Sequence, residues 1–293
     1  MFFAELYVIL HDNFRKMKKL LVIISSVCLL SGCASEFNSM FKTSDNNLKY
    51  EYSKQLFAEG KFSRAAVLLT DLINVLKGTE NGQECLYMLG MAQYNSKDYE
   101  SASYTFKKYY QSYPRGLYAE NAKFYVGKSL YMGTPEPRLD QTQTVNSIAA
   151  LQEYMDLFPD AQRKDEAQKI MFELQDKLVK KEFYSARLYY NLGTYFSNCL
   201  FGGSNYEACI ITAQNALKDY PYSSMREEFS VLIMKSKFEL AQQSTESKKL
   251  DRYRDAEDEC YGFINQYPDS KEVTTAEKYI ERCKKILSKS PLM

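Results

Sequence analysis

Tryptophan is absent from the 293 residues, histidine occurs once, and the charges nearly cancel, with 38 Lys and Arg against 37 Asp and Glu. That balance removes the electrostatic ground for a nucleic-acid binder, which needs a basic stripe to neutralise phosphates. The one histidine, His11, lies in a segment expected to be cut away, so the mature chain lacks the side chain that titrates near neutral pH. Gly (12) and Pro (7) are sparse, and long β-branched runs are missing beyond residue 45, which argues against a sheet protein. What remains is an ordinary globular composition, 45% hydrophobic and 26% charged. The length allows one large domain or two small ones.

Met17-Lys18-Lys19 opens a short basic region, followed by the apolar run Leu20 to Leu30. Such a run rises only about 16 Å as a helix, half of a ~30 Å hydrocarbon core, which suits a secretory signal better than a membrane span. It closes on Leu30-Ser31-Gly32-Cys33. This ending resembles the lipobox of bacterial lipoproteins, in which the Cys thiol is acylated and the chain is cut before it. Two or more acyl chains hold a soluble protein stably on a membrane. In that resemblance, Ala34 where an inner-membrane retention signal would place Asp implies an outer-membrane, periplasm-facing location. Met17 is the better start, so residues 1–16 read as an upstream extension and 17–32 as the signal peptide. Cutting before Cys33 removes Arg15, Lys16, Lys18, Lys19, Glu5 and Asp12, which takes the formal charge from +1 to −1.

Beyond this address the chain repeats. Aromatic-Pro pairs stand at Tyr113-Pro114, Phe158-Pro159, Tyr220-Pro221 and Tyr267-Pro268. Twelve, eight and five residues before each Pro stand Ala102, Phe106 and Tyr109; Ser147, Leu151 and Tyr154; Cys209, Ala213 and Ala216; and Ala256, Cys260 and Phe263. Ala65, Leu69 and Leu72 form a first block without the Pro. Offsets of i, i+4 and i+7 trace one helical stripe, small where two helices cross and larger where a groove is filled. Pro ends the helix. Gly90, Gly127 and Gly193 place a small residue on the preceding helix of the second, third and fourth blocks. This is tetratricopeptide (TPR)-like helix–turn–helix stacking, with insertions at Met132 to Thr142, at an extra helix around Asp165 to Lys180, and at Gln242 to Asp251. Ser270 is expected to cap a last helix running to about Leu287, covering the open end of the array. The reading is an all-α TPR-like solenoid of about five helix pairs, an extra middle helix and a C-terminal cap helix. Residues 33–45 are a lipidated tether, 46–160 the N-terminal repeats 1–3, and 161–288 the extra helix, repeats 4–5 and the cap.

Ala122 to Ser129 (AKFYVGKS) fits a relaxed phosphate-loop expression. It has one glycine in a helical pattern, where the mechanism needs a glycine-rich loop after a strand. The cysteines after the cut are Cys33, Cys85, Cys199, Cys209, Cys260 and Cys283, with no C-x-x-C pair. They read as one lipidated and otherwise buried thiols, and a disulfide in an oxidising compartment stays open. Without a histidine, a nucleophile elbow or a metal-ligand cluster, the chain reads as non-enzymatic, with no cofactor beyond a covalent lipid. The informative surface is the groove lined by the first helix of each pair. Counted from the small packing residue, its candidates are Tyr50, Lys54 and Phe57; Tyr87, Met91 and Tyr94; and Phe124, Lys128 and Tyr131. These rings and two lysines suit an extended peptide with aromatic side chains and a carboxylate end. Packing between repeats is the alternative for each ring.

The block Leu178 to Tyr190 (LVKKEFYSARLYY) resembles the BamD (ComL) family of outer-membrane assembly lipoproteins, whose pattern there is roughly L-A-x-x-E-x-x-V-A-x-Y-Y. Glu182, Ala186, Tyr189 and Tyr190 match, as does Tyr220-Pro221. Val179, Ser185, Tyr222 and the lengthened turn at 199–206 depart from it. With lipobox and repeats, the resemblance covers about residues 30–287. It implies a scaffold of the β-barrel assembly machinery on the outer membrane. BamA, the barrel-forming subunit, would dock on the C-terminal pairs, about 182–287, and unfolded outer-membrane proteins would bind the N-terminal repeats. Another TPR lipoprotein acting as a cell-envelope or division adaptor is the alternative.

Overall fold

The helical periodicity is realised as eleven α-helices between Asn46 and Leu287 in a computed structural model that describes residues 36–193 and 204–289. They are α1 (Asn46–Ala58), α2 (Phe62–Val75), α3 (Glu80–Asn95), α4 (Tyr99–Ser112), α5 (Ala119–Met132) and α6 (Thr142–Leu157), then α7 (Lys164–Leu192), α8 (Asn205–Asp219), α9 (Arg226–Gln242), α10 (Glu246–Gln266) and α11 (Val273–Leu287). No strand occurs among the described residues. Within each unit, consecutive helices pack on one another in TPR-like fashion. Among the described residues no helix is long and apolar enough to cross a membrane. The chain divides after Ser129, inside α5, into two compact units.

In the first unit α1 packs on α2, α2 on α3 and α3 on α4. In the second, α6 through α11 pack consecutively, and α9 also reaches α7. The stripe read from the sequence is the core of this stacking. All fifteen of its residues are buried, none more than 3% exposed. The small residues do the work expected of them. A Cβ built on Gly90 of α3 would lie 2.7 Å from the Phe106 ring on α4, and one on Gly193 would lie 2.2 Å from the Tyr206 ring on α8. Only hydrogen leaves room there for the ring to seat against the neighbouring backbone.

The aromatic-Pro pairs give four near-identical helix ends. Tyr113, Phe158, Tyr220 and Tyr267 are the C-cap residues, with φ of −135°, −129°, −125° and −132° and ψ between 63° and 71°. Each donates its N–H to the carbonyl four residues back, at 2.8 to 3.0 Å. The Pro ring pushes its predecessor out of helical space, and this last bond completes the helix as the chain turns away. At the other ends Asp45 accepts from the N–H groups of Asn47 and Leu48, Thr79 from Gly82, and Asp98 from Ser101.

Four expectations shift. The extra middle helix is not separate: α7 runs unbroken for 29 residues, because neither Gly nor Pro interrupts Lys164 to Leu192. The insertion expected at Gln242 to Asp251 is mostly helix, with only Gln243 to Thr245 between α9 and α10. Ser270 accepts from the Glu272 N–H in a turn ahead of α11, which starts at Val273 and ends at Leu287. Residues 36–42, expected as part of a polar tether, are helical, and Phe37 packs on the first unit's core.

Cys85, Cys209, Cys260 and Cys283 are buried free thiols. Burial pushes Cys85 and Cys260 up to about 12 and Cys283 up to about 11, which suppresses the reactive thiolate. Cys33, Cys199 and the signal segment lie outside the described residues.

Gly90→Ala is expected to destabilise the first unit. Overpacking against the Phe106 ring costs about 1–3 kcal/mol, only partly offset by the ~1 kcal/mol helix preference of Ala over Gly. Thermal unfolding followed by circular dichroism checks the sign, and a stabilised variant would contradict the close approach.

Candidate functional site

The first unit carries a hollow of about 400 Å³ lined by Lys54, Phe57, Glu84, Tyr87, Met88, Met91 and Tyr118. Four of the nine groove candidates meet here: Lys54, Phe57, Tyr87 and Met91. Its floor is aromatic and thioether. Tyr87 stacks on Tyr118 with centroids 4.3 Å apart and planes 8° from parallel, and Phe57 meets Phe62 edge-on at 5.3 Å. Tyr118 is held in place by a hydrogen-bond cluster. The Tyr109 hydroxyl donates to Gln83 Oε1 at 2.7 Å, the Leu117 N–H donates to the same oxygen at 2.8 Å, and the Tyr118 N–H donates to the Tyr109 oxygen at 3.2 Å. Gly116 lets the cluster sit close to the backbone, since a Cβ there would meet Gln83 Oε1 and the Tyr109 hydroxyl.

The other candidates are placed differently. Tyr50 is 2% exposed and faces the core, with its hydroxyl donating to Glu84 Oε2 at 2.8 Å. Burial, then that hydrogen bond, raises its pKa, so the phenol stays a neutral donor. Phe124 is fully buried, between its cation–π partner Lys128 (5.5 Å) and Tyr125 (5.6 Å, edge-on). These two rings therefore pack the repeats and do not line a groove. Tyr94 is half-buried, edge-on to Tyr99 at 5.6 Å and to Tyr125 at 5.1 Å. Lys128 is half-buried over Phe124 and Tyr125. Tyr131 belongs to the second unit, where its hydroxyl donates to the Glu173 carboxylate. The phosphate-loop look-alike at Ala122 to Ser129 is helix interior in α5, with its N–H groups committed to the helix.

The second unit has a larger cleft, about 830 Å³, between α7, α9 and the turn joining α10 to α11. Phe183, Arg187, Tyr190 and Asn191 come from α7, and Glu227, Glu228, Val231, Leu232 and Lys235 from α9. The turn Gln266 to Glu272 closes it. Lys235 and Glu272 pair across it at 2.9 Å, and the Lys235 hydrogen bond lowers the Glu272 pKa. Arg187 and Asn191 also line a neighbouring hollow of about 460 Å³ with Arg138 and Lys181, where the Arg138 guanidinium lies 4.6 Å from the Tyr184 ring centre. Charged side chains of both signs thus rim an apolar base formed by Phe183, Val231 and Leu232.

A family model described as outer membrane lipoprotein, YfiO, matches residues 42–200, more than half of the chain. The chain belongs to this family. Comparison with curated proteins returns no match. YfiO proteins are helical outer-membrane lipoproteins and not a family of enzymes. The YfiO match spans every residue that lines the first-unit hollow and the α7 wall of the cleft.

Sequence reasoning missed Gln83, Glu84 and Tyr118. Only Tyr118 had a legible signal, as an aromatic four residues beyond Pro114. The α9 wall of the cleft was also missed, because its Glu227-Glu228 pair looks like an ordinary solvated face.

Phe124→Ala is expected to cost about 3–5 kcal/mol, the usual range for emptying a buried ring site, and to lower the unfolding midpoint whatever ligand is present. Glu272 stabilises the fold above the ordinary carboxylate range, and that contribution is lost as pH falls through its depressed value. Since the pair is partly exposed, Glu272→Gln should cost under about 1 kcal/mol at neutral pH. The gap between the two proteins should close below about pH 4. Unfolding midpoints measured across that range check both statements.

Proposed function

We propose that this YfiO-family protein is a non-enzymatic scaffold of β-barrel assembly, anchored to the outer membrane by acyl chains on Cys33 and facing the periplasm. Acylation would fall on the Cys33 thiol, and cleavage of the 17–32 signal would free the Cys33 α-amino group and leave the lipid-bearing residue at the N-terminus. The first-unit hollow receives segments of unfolded outer-membrane proteins, and the second-unit cleft docks a BamA-like barrel protein. The observation that carries this is the coincidence of an outer-membrane lipoprotein family match with a half-open aromatic hollow inside the matched span.

The chemistry suits that client. Tyr87, Tyr118 and Phe57 offer ring faces to the aromatic side chains that alternate along barrel strands. Met91 adapts to different side chains, and Lys54 can meet a terminal carboxylate at the rim. Glu84, already accepting from Tyr50, disfavours an acidic side chain deep in the hollow.

Depletion is expected to lower the amount of folded outer-membrane barrels, and affinity capture to recover a BamA-like protein. Recovery of peptidoglycan-associated proteins alone would point instead to an envelope or division adaptor. Lys54→Ala with Met91→Ala should weaken binding of a C-terminal barrel peptide about tenfold, on the scale of one good interface contact, while helicity stays intact. Unchanged affinity would remove the hollow from this reading.

A further inference from the structure

Cys33 precedes Glu36 by three residues, and the chain from Glu36 onward is not slack. Residues 36–42 are helical. Phe37 packs on the first unit's core, its ring stacks on Phe41 with centroids 6.4 Å apart, and the Arg64 guanidinium of α2 lies 5.7 Å from its centre. The Lys49 ammonium lies 5.8 Å from the centre of Phe41, and Lys49 is itself buried and paired with Asp71. Asp45 then caps α1, which ties down the link as well. The segment is thus fastened to both helices of the first pair.

Three residues reach at most about 11 Å. Even a domain of 100 residues has a radius of gyration near 13 Å, so nothing folded fits between the anchor and this segment. Two large apolar side chains, Phe41 on this segment and Leu48 in the first turn of α1, are nevertheless 45% and 48% exposed.

We propose that Phe41 and Leu48 form a membrane-contacting surface that seats the first unit on the phospholipid leaflet, with both side chains in the headgroup–acyl boundary. This rests on the acylation of Cys33 proposed above. The anchor then acts as a short clasp holding the first helix pair at a fixed height, and lipid is the occupant because the clasp leaves room for nothing thicker.

The absence of tryptophan supplies the test, since Phe41→Trp, Leu48→Trp and Leu117→Trp each carry a single reporter. Leu117, 81% exposed on the same unit, is the comparison. Each full-length protein is expressed with its signal and reconstituted into phosphatidylethanolamine–phosphatidylglycerol vesicles with or without brominated acyl chains. Intact mass then reports whether Cys33 carries lipid. Bromine is expected to reduce the emission at positions 41 and 48 about twofold or more, the response of an interfacial side chain, and to leave position 117 nearly unchanged. Lipid on Cys33 with unquenched emission at 41 and 48, or with equal quenching at 117, overturns the surface alone. No lipid on Cys33 overturns the anchoring and this surface together.

Discussion

A helix pair of some thirty residues cannot bury its apolar stripe by itself, and everything in this protein follows from how the next helix covers it. The covering works by size complementarity at single positions. Gly90 lets the Phe106 ring lie against the α3 backbone, and Gly193 does the same for Tyr206. The stripe residues are buried and fixed by the helix that covers them, whereas the length of the helices and of the links between them is less constrained. The 62-residue interval between Pro159 and Pro221 therefore does not break the repeat, because much of the surplus is absorbed as extra turns of α7.

The same devices that end the helices build the walls of the hollow and the cleft. Each aromatic-Pro cap turns the chain out of its helix with one backbone geometry. In the first unit, the turn after Tyr113-Pro114 is pinned by Gln83 and Tyr109, and it delivers Tyr118 onto Tyr87 as a wall of the hollow. In the second unit, the turn after Tyr267-Pro268 brings Glu272 to Lys235 and closes the cleft. The punctuation that ends a helix becomes the rim of a hollow.

This is also why the sequence was legible where it was. Spacing of i, i+4 and i+7 ahead of a Pro identified the stripe residues and the ends of their helices, since both depend on local geometry and steric exclusion. The groove was only half legible. The nine candidates sit at −3, +1 and +4 from a small residue, and the −3 position turned inward at Tyr50 and Phe124. The +1 residues Lys54, Met91 and Lys128 lie about 100° around the helix from the contact and remain partly open. The +4 residues Phe57, Tyr94 and Tyr131 lie in the last turn, near where their helix gives way to the next. Which ring is swallowed depends on the partner helix, as with Glu84 waiting for the Tyr50 hydroxyl, and no single-helix pattern contains that information.

The wealth of tyrosine, 25 residues, fits the same logic. A Tyr fills a stripe or a stack like Phe, yet its hydroxyl reaches the edge of the core and ties neighbouring elements together, as Tyr50 does to Glu84, Tyr109 to Gln83 and Tyr131 to Glu173. Burial raises the pKa of Tyr50 and Tyr109, and the hydrogen bond to Glu173 raises that of Tyr131, so all three remain neutral donors well above neutral pH. No histidine follows Cys33 in the sequence. The Tyr50 and Tyr109 hydroxyls that support the hollow therefore keep their protons near neutral pH, and the ties they donate do not switch off there.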